Sequence, residues 1–156
     1  ANKDVYGSPT VTELAAPEKV DIAPEGSADM VLTFRNTHNW MRAGTNEAIY
    51  AAMYKALKPG GTLGVVQHRA APDSEQDPKA STGYVKQDVV IQMAEKAGFK
   101  LAGQSEINAN PKDTRDHPKG VWTLPPRYRL GEEDKEKYAA IGESDRMTLK
   151  FMKPME

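Results

Sequence analysis

Asp29-Met30-Val31-Leu32-Thr33-Phe34 and, one helix later, Leu57-Lys58-Pro59-Gly60-Gly61-Thr62-Leu63-Gly64-Val65-Val66-Gln67 decide the fold. After Asp29 the first run is short and apolar apart from Thr33. The turn Pro24-Glu25-Gly26-Ser27 precedes it and polar residues follow. That pattern suits a strand buried on both faces of a parallel sheet. Thr62 to Gln67 reads as a second strand of the same kind. Between them Thr45 is placed to cap a helix running to about Lys58, with Ile49, Met53 and Leu57 on one stripe. Pro59-Gly60-Gly61 ends that helix.

Working outward, Arg35 to Gly44 reads as a loop and His68 to Gly83 as a long polar surface loop. Lys86 to Ala97 is predicted helical, with Val89, Val90, Met93, Ala94 and Ala97 on one face. Phe99 to Ile107 reads as a strand. Residues 108–143 form a long irregular excursion with four prolines, and Glu132 to Lys137 within it is one helical turn or two. Met147 to Met152 alternates as a last strand, expected antiparallel because no helix leads into it. Upstream, Val11 to Leu14 alternates over four residues and is read as a short strand. Strand, helix, strand, helix, strand predicts an α/β fold, mostly parallel, with right-handed crossovers. No repeat or long linker divides residues 1–156, so one domain is expected.

The 156 residues are 38% hydrophobic and 28% charged. No run approaches the roughly 18 apolar residues that span a bilayer. Basic residues number 21 and acidic ones 22, for a net charge of −1. That balance lacks the electrostatic footprint of a nucleic-acid binder, so neither a nucleic-acid nor a membrane partner is expected. Zero cysteines exclude disulfides, thiolate metal sites and a cysteine nucleophile. They do not choose between a cytoplasmic and a periplasmic location for a soluble chain.

Taken in order, Asp29 to Leu32, the Leu57-Lys58-Pro59-Gly60-Gly61-Thr62-Leu63 turn and Ala97-Gly98-Phe99 resemble the second half of class I S-adenosylmethionine-dependent methyltransferases. Residues 108–113, 120–126 and 142–146 are similar to a bacterial subgroup of predicted methyltransferases. The resemblance covers roughly residues 9 to 154. It implies a Rossmann-like sheet with an antiparallel last strand, S-adenosylmethionine as cofactor and a small-molecule acceptor. The family's glycine-rich cofactor loop and its ribose-binding acidic residue are absent from these residues. On this reading the chain looks like a methyltransferase without its N-terminal third. Asp29 to Phe34 is then an exposed apolar edge, expected to pair with a second copy or with a missing N-terminal segment.

His38 and His68 follow the two central strands. In a parallel sheet both leave at the carboxyl edge, where open α/β sheets bind ligands. Two imidazoles there suit a general base and a substrate anchor, or are loop histidines bonded to backbone. The resemblance maps the cofactor's methionine end onto Phe34, Arg35 and Asn36, and its adenine onto Ala15 and Ala16. Trp40, Tyr84 and Arg127 are candidates for substrate contact, with packing or plain surface as the alternative for each. Residues 120–126 are apolar inside a polar excursion, and either cover the site as a lid or pack on the sheet edge. His38, His68, His117 and Asp116 lack metal-ligand spacing, and no metal is expected. Two functions remain open: methyl transfer by the intact protein, or a non-catalytic binding or interaction module built on half of the sheet.

Overall fold

The computed structural model describes residues 2–155. Four strands form one sheet in the order β1-β2-β4-β3: β1 (Ala28–Phe34), β2 (Leu57–His68), β3 (Lys100–Ser105) and β4 (Arg146–Met152). β1 and β2 are parallel, and β4 enters antiparallel between β2 and β3. The two decisive runs are therefore adjacent and parallel. The crossover between them is helical, through α2 (Thr37–Ala43) and α3 (Asn46–Ala56). α4 (Gln87–Lys96) leads into β3. A short α1 (Lys3–Tyr6) precedes the sheet, and the excursion holds a 3-10 turn (Gly120–Thr123) and α5 (Lys135–Ile141).

The Lys-Pro-Gly-Gly segment does more than stop a helix. β1 pairs Ala28 with Leu57 and then Met30 with Thr62, so residues 58–61 bulge out of the ladder. Gly60 sits at φ +77, open to glycine at low cost. A Cβ on Gly61 would lie 2.8 Å from the Lys58 carbonyl oxygen. The bulge thus lets a helix run into a buried strand within five residues.

The period of two along each strand divides the sheet into unlike faces. Leu63, Val65, Met147, Leu149 and Phe151 are buried and pack with Ile49, Tyr50 and Met53 of α3 and Val90 and Ala94 of α4. The opposite face carries Met30, Leu32 and Phe34 at 57%, 55% and 56% exposure. Leu32 lies over Gly64, whose missing side chain makes room for it. Among the described residues no strand pairs with the outer edge of β1.

Five sequence expectations are corrected. Residues 37–43 are helical, not loop: Thr37, His38 and Met41 turn inward, and Gly44 closes the helix through its N–H to the Met41 carbonyl. The polar surface of that segment hid a buried stripe. Val11 to Leu14 is not a strand; Val11 is 90% exposed, and the nearest bridge is Ala15 with Lys19. A four-residue alternation without a partner strand has nothing to pair its backbone. The strand expected over 99–107 covers 100–105, because Phe99 is buried in the core and Ile107 is exposed beyond the sheet. Glu132 to Lys137 belongs only in part to α5, which starts at Lys135. Thr45 precedes α3 without a side-chain cap bond; its carbonyl accepts from Ile49 N instead.

Candidate functional site

β1 ends at Phe34, and Arg35 takes a left-handed φ of +59 while its N–H still reaches the Val66 carbonyl at 2.7 Å. A non-glycine residue at that φ is strained, and such strain clusters at functional positions. The bend starts α2 at once, and α2 turns His38 back beneath the strand ends. His38 is buried. Thr37 beside it shares a hydrogen bond with the buried Tyr50 hydroxyl (3.1 Å), whose pKa burial pushes up to about 12.

His68 is the last residue of β2. Its Nδ1 lies 2.5 Å from Ser144 Oγ, in the segment that leads into β4. The His38 and His68 rings stand 5.5 Å apart, tilted by 53°. Trp122 meets His38 edge-on at 5.7 Å. Gln67 Nε2 donates to the Gly83 carbonyl at 2.9 Å, which fixes its amide. The same amide meets His38 Nδ1 through both Nε2 (3.2 Å) and Oε1 (3.4 Å), which leaves Nε2 of the ring free of Gln67.

These side chains open on a cleft of about 390 Å³. Phe34, Arg35, Asn36, His38 and Asn39 form one wall. His68, Glu143 and Ser144 form the floor. Val121, Trp122, Pro125, Pro126 and Arg127 form the other wall. Residues 120–127 of the excursion therefore border the mouth. Burial, then the charges of Arg42 and Arg35, lowers the His38 pKa. Burial, then His38, Arg146 and Arg35, pushes His68 down to about 3. Both imidazoles are neutral at neutral pH.

A histidine that protonates less readily folded than unfolded stabilises the fold fully above its unfolded pKa, about 6.5, and loses that contribution as the pH falls. The thermal midpoint is thus expected to drop between about pH 7 and pH 5, with His68→Asn flattening the drop. A midpoint constant over that range in the parent chain would show that the imidazoles are not held neutral.

The cleft collects His38, His68, Phe34, Arg35, Asn36 and Arg127 from the residues singled out in the sequence. Ala15, Ala16, Trp40 and Tyr84 lie outside its lining. Ala15 is in the bridge with Lys19 and Ala16 packs against the core. Trp40 packs edge-on against Tyr50 at 6.1 Å. Tyr84 is buried, and its hydroxyl donates to both oxygens of Asp113 at 2.9 and 2.8 Å. Ser144, Glu143 and Gln67 were not anticipated. The antiparallel entry of β4 was the available signal: it pairs Arg146 with His68, bringing residues 143–144 to the end of β2.

A second cavity, about 490 Å³, lies near Arg69, Lys86 and Arg115. Arg69 is already bonded to Glu106 and Asp145, and Arg115 to Asp145. Asp145 is held below the usual carboxylate range: burial opposes its charge, but the bonds from Arg69 and Arg115 prevail. Its charged groups satisfy one another, so the histidine cleft is the stronger candidate. Among the described residues no cluster of three metal-ligating side chains occurs, and no helix is long and apolar enough to cross a membrane.

No family model and no curated protein matches the chain. Solved structures do. The cyclase SpnF aligns with a TM-score of 0.54 at 16% identity, over 86% of this chain and 52% of its own. A 1,6-didemethyltoxoflavin-N1-methyltransferase from Burkholderia thailandensis, solved with S-adenosylhomocysteine, aligns at 0.53 and 9%, over 86% and 48%. A SAM-dependent methyltransferase from Methanosarcina mazei aligns at 0.50 and 11%, over 85% and 62%. At such identities the likeness is one of fold. The chain has a Rossmann-like methyltransferase fold, an open mixed sheet, and spans roughly half the length of the structures it matches.

Proposed function

We propose that the cleft is the acceptor side of a site for S-adenosylmethionine-dependent methyl transfer to a small molecule. The observation that carries this reading is the placement of two neutral imidazoles at the carboxyl ends of two parallel strands, on a sheet shared with methyltransferases. When bound, the cofactor offers a methyl carbon on a sulfonium: the acceptor's lone pair bonds to it while the C–S electron pair stays on sulfur.

The residues present fit the methionyl end of that cofactor. Arg35 has no carboxylate partner among the described residues and sits at the bend after β1, a counter-charge for the methionyl carboxylate, with Phe34 and Asn36 beside it. A glycine-rich loop for the rest is absent from the 156 residues, so a neighbouring segment must supply it. That absence favours the second reading, a binding or interaction module, if no such segment joins the sheet.

His38 anchors the acceptor through Nε2, the ring nitrogen not bonded to Gln67. His68 Nδ1 shares a hydrogen bond with Ser144 Oγ, which leaves Nε2 to exchange a proton with a hydroxyl or amine acceptor. The walls align the reactants and exclude water. Replacing Asn36 or His38 by alanine is expected to weaken cofactor binding or slow turnover by about tenfold or more, the loss of one good polar contact. Titrations and rates unchanged in both variants would remove this loop from the site.

A further inference from the structure

The seven arginines of the chain divide sharply. Arg69 is bonded to Glu106 and Asp145, Arg115 to Asp145, and Arg146 to Glu143. Arg35, Arg42, Arg127 and Arg129 have no carboxylate partner among the described residues; two of them line the cleft and two lie against the ring of a residue that lines it. Arg35 and Arg127 line it. The Arg42 and Arg129 guanidiniums lie 5.4 and 5.0 Å from the ring centre of Trp122, which forms its wall. Exposed arginines commonly stand free in solvent. Here, though, each free one lines the cleft or lies against Trp122, on a chain whose net charge is −1. The single carboxylate in the lining, Glu143, is already bonded to Arg146. Nothing in the cleft offsets the positive charge, and low-dielectric walls focus such a field.

The rest of the lining sets the ligand's body. Phe34, Pro125 and Pro126 add some apolar surface to a lining that is mainly polar. A mixed lining beside an uncompensated cationic mouth points to one chemistry. We propose that the acceptor is an organic oxyanion, a hydroxylated body bearing a carboxylate or phosphate, with its anionic head taken by Arg127 at the mouth. Arg42 and Arg129 add to the field through their stacking on Trp122. Arg35 is left to the cofactor's carboxylate. Guanidinium suits the task, since its planar fork meets a carboxylate or phosphate with two parallel bonds. The identification as acceptor rests on the methyl-transfer reading; the oxyanion site itself does not.

The test is calorimetric titration of the 156-residue chain with 4-hydroxybenzoate, phenyl phosphate and tyramine, which share a ring and differ in charge. At least one oxyanion is expected to bind about tenfold more tightly than tyramine, and to weaken as salt is raised. That preference is expected to collapse in R127Q/R129Q and to persist in R127K/R129K, which keeps the charge and controls for folding. Tyramine binding equally well, a preference that survives R127Q/R129Q, or no binding of either oxyanion at about 1 mM would each overturn the proposal. Oxyanion binding with no methylated product in the completed protein would leave the anion site standing and remove the methyl-transfer reading instead.

Discussion

In sedimentation equilibrium the 156-residue chain is expected to run as a dimer or larger species, not as a 17.2 kDa monomer. β1 is the outermost strand, and its outer backbone edge has no partner strand among the described residues. Met30, Leu32 and Phe34 lie at successive alternate positions on the uncovered face, each more than half exposed. Burying the remaining surface of each contributes roughly 1 kcal/mol, and an unpaired apolar edge is a template for another strand. The segment upstream does not cover it, since Val11 to Leu14 forms no strand. A strongly twisted parallel pair is ordinarily covered on both faces. Here helices cover one. Leu32→Lys with Phe34→Glu is expected to shift the chain toward monomer at equal concentration. A compact monomer with a cooperative melt in the parent chain would show that this face tolerates water.

Asp113→Ala is expected to lower stability by about 3 kcal/mol or more and to loosen the second wall of the cleft. The Asp113 carboxylate is almost fully buried and accepts from four donors: Tyr84 Oη, His117 Nε2 at 2.8 Å, and the backbone N–H groups of Arg115 and Asp145 at 2.9 and 2.7 Å. Asp145, also buried, accepts from Arg69, Arg115 and the Asn110 N–H. Together these two carboxylates tie the excursion to the ends of β2 and β4. Removing Asp113 leaves four donors without an acceptor, two of them side chains with no route to solvent. For a chain of this size the loss corresponds to a fall of about 10 °C in the melting midpoint. Asp113→Asn keeps the shape but cannot accept from all four donors, so an intermediate fall is expected. Faster amide exchange confined to 108–128 is the companion readout. A midpoint within a degree or two of the parent would mean the network contributes little.

The parts of this fold that could be read from the sequence are those governed by local rules. The runs at 29–34 and 62–67 read as strands because they are short, apolar and bounded by turn residues; the burial on both faces expected for 29–34 is not what the fold provides, since Met30, Leu32 and Phe34 stay more than half exposed. The last strand read correctly because its alternation is strict, with Met147, Leu149 and Phe151 inward. Residues 37–43 did not read as a helix because the stretch has no apolar repeat; Thr37 and His38 are polar side chains buried through hydrogen bonds to partners 13 and 29 residues away in sequence. His38 and His68 followed from topology, and Phe34, Arg35 and Asn36 from the family resemblance. Glu143 and Ser144 did not, and residues 120–126 stayed open between a lid and the sheet edge. They reach the cleft by an excursion whose path is set by Asp113 and Asp145, and no local pattern marks a buried carboxylate that gathers distant donors. Tyr84 shows the same point from the other side: its hydroxyl, a candidate for substrate contact, serves Asp113.

The central claim is that the histidine cleft receives the cofactor's methionyl end and the acceptor. Amide and histidine chemical-shift mapping of the chain with S-adenosylhomocysteine tests it most directly. The account predicts perturbations at residues 34–38 and at His68, with the second cavity around Arg69, Lys86 and Arg115 unaffected. Perturbations that spare 34–38 and gather elsewhere on the molecule would contradict it.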